Sequence, residues 1–165
     1  MVEILIPYIE YISNNPLIAT FIIAMLPLTE LRGSMPWAYL FTELPLILIF
    51  VTSVAGNFIV TVPIINLLGP SIIFFSRWPR GDHFFSWILN RTRKKGAKIE
   101  KLHFWGLVMF VGIPLPVTGA WTACIAAYLF GIPKIKSLIA IFIGLCLSAS
   151  IVSILLLTGN LIINS

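Results

Sequence analysis

Charge is what this sequence has least of. Only 10% of its 165 residues are Asp, Glu, Lys or Arg, against 59% hydrophobic residues and a mean hydropathy of +1.02. A water-soluble domain of this size cannot cover its surface with so little charge, which excludes that class and leaves the membrane. No charge at all stands between Glu43 and Arg77, between Lys101 and Lys134, or after Lys136. Each gap exceeds the roughly 20 residues a helix needs to cross about 30 Å of hydrocarbon. Cysteine is scarce too: Cys124 and Cys146 lie in apolar segments and read as small buried hydrophobes, with no disulfide framework. His83 and His103 stand too far apart to suggest a metal site, and no nucleophile and base fall together in the apolar segments. An enzyme is the least favoured class, and no metal or cofactor is implied. The formal net charge of +5 is local, because the basic residues sit mostly between Arg77 and Lys101. With no folded soluble face to present them, nucleic acid is not an expected partner. The N-terminus lacks the basic region and small-residue cleavage site of a secretory signal, so residues 1–15 are expected to stay on the protein.

What is present is a repeat. "PLTELRGSMPWAYLF" (27–41) has an echo in "PLPVTGAWTACIAAYLF" (114–130). Its closing "AYLF" recurs 89 positions on, and Pro45 and Gly56 find counterparts 88 positions on at Pro133 and Gly144. Each copy opens with an apolar run broken near its middle. The first is 17–29, a break from Glu30 to Pro36, then on to Phe41; the second is 104–113, a break from Pro114 to Gly119, then on to Ile132. Apolar runs of about 10 to 14 residues are too short to span and suit re-entrant segments. Each half therefore reads as a helical hairpin that dips in and returns, followed by one crossing helix, about 46–68 and 137–160.

A hairpin returns the chain to its own side and a crossing then moves it over, so the second copy enters from the opposite face, as in many secondary transporters. The expected fold is an all-α integral membrane protein, a single membrane domain over 1–165 with two inverted-topology repeats (about 16–69 and 104–161). Each repeat is a re-entrant helical hairpin followed by a transmembrane helix. Positive charge supports this topology. The basic residues put the linker, about 76–103, in the cytoplasm. Lys134 and Lys136 follow the second hairpin back to that side, while the first hairpin's exit loop carries only Glu43. A plain four-span arrangement, which sends the Lys134 loop to the opposite face, is the alternative. In the linker, Asp82 is a candidate N-cap before Phe84, Phe85, Ile88 and Leu89 at helical spacing, with Trp78, Trp87 and Trp105 at headgroup level. This reads as an interfacial amphipathic helix, and residues 1–12 as a second one.

Non-helical backbone survives in hydrocarbon only when buried in protein or lining a wet cavity, so both breaks are expected to face inward. Pro36 reads as a first-turn residue of a half-helix capped by Ser34, and Thr118 or Gly119 as the cap of one beginning at Ala120. Two helix N-termini and the guanidinium of Arg32 suit an anion, phosphate above all. Glu30 can pair with Arg32, since residues two apart share a face in an extended segment. An anion that takes the guanidinium then leaves Glu30 to take a proton, which couples substrate to proton. The expected substrate-binding set is Glu30, Arg32, Ser34, Pro114, Pro116, Thr118, Gly119, Trp121 and Asn57, with Glu30 also in the proton-coupling role. Plainer readings compete: a surface loop whose Glu30 and Arg32 snorkel to water, and a kinked crossing helix at "PLPVTG". On the long helices Ser53, Asn57 and Thr61 form a polar stripe, and Ala140, Gly144 and Ser148 a stripe of small residues. Both are packing faces first, and Asn57 is also a candidate to line a substrate path. Two crossing helices and two hairpins bury little surface, so a homodimer is expected.

At "ELRGSMP" and "PLPVTGAWT" the chain resembles the putative small multidrug export protein family, a relative of the broader DedA membrane-protein superfamily, over about residues 15–160. The resemblance implies a multi-pass protein of the inner (cytoplasmic) membrane with two inward-dipping hairpins. Through the DedA superfamily it implies a flippase for lipid phosphates such as undecaprenyl phosphate, with acidic and arginine residues at the hairpins. Glu30 and Arg32 match that pattern in the first hairpin. In the second, where such proteins have an arginine-containing motif, this chain has Pro114, Pro116, Thr118 and Trp121 and no charge.

Three functions remain open. The first is a proton-coupled carrier or flippase for an amphiphilic anion. The second is an exporter of lipophilic cations or drugs with Glu30 as counter-ion, which the helix N-termini oppose. The third is a non-transporting membrane scaffold whose basic linker recruits partners or anionic lipid. The expected partners are membrane lipids and the amphiphilic substrate.

Overall fold

The structure, a computed structural model, describes residues 15–75, 97–114 and 119–163. The helix expected over 1–12 and most of the basic linker lie outside them. All regular structure among the described residues is helical: α1 (Pro16–Met25), α2 (Glu30–Phe41), α3 (Leu46–Phe75), α4 (Ala97–Gly112), α5 (Ala120–Leu129) and α6 (Lys134–Ile163).

Proline and glycine punctuate these helices. Pro16 opens α1, where its fixed φ and missing N–H suit a first turn. The helix stops at Leu26, which is extended (φ −72°, ψ 139°) because it precedes Pro27, whose ring pushes the preceding residue out of the helical region. At the end of α5, Gly131 takes a left-handed φ of 67°. Its N–H donates to Tyr128 O and that of Ile132 to Ala127 O, both at 3.0 Å, a paired closure that a Cβ at this position would hinder. Pro133 then sets the start of α6.

Helices α3 and α6 have 30 residues each, or about 45 Å at 1.5 Å per residue. Leu46–Ser71 and Lys134–Ile162 are long and apolar enough to cross a membrane, with mean hydropathies of 2.1 and 2.7. They enclose the spans expected at 46–68 and 137–160. Ile47, Val51, Ile59, Leu67, Ile154 and Leu161 are exposed along them, an apolar surface suited to hydrocarbon and not to water. Helix α1, at 10 residues, and α2, at 12, reach only about 15 and 18 Å. One boundary moves. Helix α4 begins at Ala97, inside the basic linker, and not at 104, because "AKIEKL" is made of helix formers continuous with the apolar run that follows.

The chain forms two compact units, Met1–Asn57 with Ser148–Ser165, and Phe58–Leu147. In the first, α1 packs on α2, with Ala24, Leu31, Met35, Ala38 and Ile49 fully buried. Gly56 lets α3 approach closely: a Cβ there would stand 2.5 Å from Phe21 O and 3.2 Å from Ala24 Cβ. In the second, α4 packs on α5 over Leu107, Val108, Val111, Ala123 and Ala127. Gly144 of α6 meets α4 in the same manner, with a Cβ falling 2.6 Å from Val111 Cβ and 2.9 Å from Val108 O. Phe58 and Phe142 add an edge-to-face contact at 5.2 Å between ring centroids.

Candidate functional site

The turn between α1 and α2 places the two unusual charges. Thr29 Oγ1 donates to Ile23 O at 2.6 Å, tying the start of α2 to the last turn of α1. The N–H of Glu30 donates to Leu26 O at 3.0 Å and that of Gly33 to Thr29 O at 2.7 Å. A Cβ on Gly33 would lie 2.8 Å from Thr29 Cβ, so this turn needs glycine there. Glu30 has a φ of 49°, the left-handed region that costs an L-residue about 1–2 kcal/mol. It is 7% exposed, and Leu31 beside it 1%, whereas Arg32 is half-buried.

This geometry corrects the sequence reading. The break covers 26–29, not 30–36, and the N-cap is Thr29, not Ser34. Pro36 lies well inside α2 and not in its first turn. The decisive signal was the dipeptide Leu26–Pro27, which the more conspicuous Pro36 concealed. Glu30 and Arg32 therefore occupy the first turn of a helix and not an extended segment, and residues two apart on a helix do not share a face. They remain close enough for their charges to attract. The positive end of the α2 dipole falls at Glu30, where a carboxylate is stabilised.

Ser34, released from capping, is fully buried. Its Oγ lies 2.9 Å from Ser53 Oγ, to which it donates, and 3.4 Å from Leu31 O, so it joins α2 to α3. One turn further along α3 comes Asn57. It is 0% exposed, and neither its Oδ1 nor its Nδ2 has a hydrogen-bond partner. Ser148 Oγ, buried in the same unit, also lacks one. A primary amide that makes no hydrogen bond in an apolar interior costs a few kcal/mol, a penalty that a polar occupant would lift. The expected stripe is real: Ser53, Asn57 and Thr61 are all fully buried. Ala140, Gly144 and Ser148 are buried as well.

Glu30, Arg32, Ser34 and Asn57 thus share one compact unit, and Pro114, Gly119 and Trp121 belong to the other. Pro116 and Thr118 lie outside the described residues. Helix α5 does begin at Ala120 with extended Gly119 as its N-cap. Thr122 Oγ1 accepts from the Gly119 N–H at 3.0 Å and donates to Gly119 O at 3.1 Å. Trp121 and Pro114 are half-buried, and His103 stacks on Phe130 with centroids 5.0 Å apart. Thr29, Gly33 and Thr122 were not singled out in the sequence, because each matters only through the turn that it closes.

No curated protein and no solved structure matches the chain. The profile of one family, described as "Putative small multi-drug export protein", matches residues 30–151, from Glu30 through most of α6. That span covers most of the sequence, and the chain belongs to the putative small multi-drug export protein family.

Proposed function

We propose that the protein is a proton-coupled membrane carrier for an amphiphilic, anionic substrate of lipid-phosphate type, with its site at the start of α2. Arg32 binds the charged head, Glu30 exchanges the proton, and the unsatisfied amide of Asn57 supplies a polar contact beyond Ser34 and Ser53. The observation that carries this reading is the burial of Glu30 in the first turn of a short helix beside Arg32. Ionisable groups at membrane depth are costly and mark transport paths. An anion that engages the guanidinium weakens its hold on the carboxylate, which then gains a proton. The DedA resemblance at Glu30 and Arg32 points the same way.

The proposal includes inverted repeats. Each half is a pair of short helices followed by a 30-residue helix. Gly56 meets residues 21 and 24 of α1, and Gly144, 88 positions on, meets 108 and 111 of α4, each 87 positions on. Helices α1 and α2, too short to cross singly, enter and leave by one face in this reading.

The test is proton-linked transport of a lipid phosphate in proteoliposomes. Glu30→Gln should abolish the pH dependence of transport, and Arg32→Ala should reduce uptake at least tenfold. Unchanged pH dependence in Glu30→Gln would remove Glu30 from coupling. A second reading, export of lipophilic cations with Glu30 as counter-ion, draws on the greater burial of Glu30 than of Arg32 and on the family's description. It predicts the opposite pattern, with cation binding lost in Glu30→Gln and kept in Arg32→Ala.

A further inference from the structure

The unit formed by Phe58–Leu147 holds a cleft of about 230 Å³ between the C-terminal part of α3, helix α5 and the start of α6. Its walls are Ile65, Leu68, Ala127 and Ile132, with the Tyr128 ring and Lys134 also lining it, and no carboxylate among them. Lys134 is exposed, and its Nζ donates to Asn66 Oδ1 at 3.2 Å. Asn66 is itself fixed by its Nδ2 donating to Val62 O at 3.0 Å. Asn66 is neutral, so this contact orients the ammonium without cancelling its charge, and among the described residues no carboxylate pairs with it. The first turn of α6 adds its own partial positive charge at this position.

We propose that this cleft is a seat for an anionic phospholipid of the surrounding bilayer, with the phosphate on Lys134 and the first part of an acyl chain between α3 and α5. Size and charge select this occupant. The volume is below the roughly 300 Å³ of a pocket that encloses a drug-sized molecule, so it takes one segment of a longer ligand. The apolar walls suit methylenes, and the cation stands where a headgroup would follow. On the expected topology Lys134 faces the cytoplasmic leaflet, where anionic lipids concentrate. None of the residues that line the seat is among those assigned to transport, and the seat does not depend on the substrate of that site.

Native mass spectrometry of the purified, delipidated protein titrated with phosphatidylglycerol or phosphatidylcholine tests it. Two variants are informative. Lys134→Ala removes the charge. Gly69→Leu fills the cleft, since a Cβ at Gly69 meets only Tyr128 Cε2, at 3.9 Å. The expected result is preferential retention of phosphatidylglycerol, weakened about fivefold in Lys134→Ala, the value of one lysine near an anionic surface, and lost in Gly69→Leu. Equal retention of both lipids by the unaltered protein, or unchanged phosphatidylglycerol binding in Lys134→Ala, overturns the proposal. Lys134 is exposed, so its variant decides the matter even if Gly69→Leu fails to fold. An Arg32→Ala variant that loses the lipid would instead place it in the transport site and equally overturn the separate seat.

Discussion

Glu30 combines two unfavourable features in one residue, a left-handed backbone and a buried carboxylate. Strain of this kind, of order 1–3 kcal/mol, persists where the surrounding structure enforces it, and it gathers at functional positions. Backbone and side chain can be separated by substitution. Glu30→Gly relieves the φ and should unfold at the same temperature as the unaltered protein or above it, whereas Glu30→Val, β-branched at positive φ, should unfold lower. Both should lose pH-dependent transport. Equal thermal midpoints for the two variants in detergent would remove the strain argument. At this scale the sequence disclosed where two opposite charges interrupt an apolar run, and one of them, Glu30, is buried. The sequence did not disclose their conformation, because the start of α2 depends on Thr29 reaching back to Ile23, and the partner of Ser34 lies 19 positions on in α3. Contacts of that separation leave no local pattern.

Among the elements, the glycines of the long helices set how closely the short ones approach. Gly56 and Gly144 each face backbone carbonyl oxygen across the contact, so an added methyl group has no flexible side chain to displace. Gly56→Ala and Gly144→Ala should each destabilise the protein by about 1–3 kcal/mol. Gly159→Ala, with nothing within 4 Å of its Cβ, should be neutral or slightly stabilising through helix propensity. Thermal unfolding in detergent decides, and similar midpoints for all three would refute the close approach. The long helices were legible as apolar runs of over 20 residues with no break like that from Pro114 to Gly119, and the cap of α5 was narrowed to Thr118 or Gly119, of which Gly119 holds the position. The extension of α4 back to Ala97 was not legible, because a basic, polar stretch reads as linker until the helix it continues is known.

For the molecule as a whole, the matter to settle is the side on which each loop emerges. The inverted-repeat reading puts position 134 in the cytoplasm and position 43 outside; a four-span arrangement puts position 134 outside. Single cysteines at 43 and 134, in a background with Cys124 and Cys146 replaced by serine, should label from opposite sides with a membrane-impermeant maleimide. Labelling of both from the external medium would end the inverted arrangement. Membrane character and the succession of short pair and long helix were readable from composition and repeat spacing. The packing within each compact unit was not, because nothing in a run of apolar residues says which neighbour it touches. The glycine crossings have one more consequence. Where Gly56 meets Phe21 and Gly144 meets Val108, main chain lies against main chain, with no gap wide enough for a hydrocarbon tail or a flat aromatic molecule. Those seams are sealed, and on the proposed transport function a cargo has to pass beside them along another face of the helices.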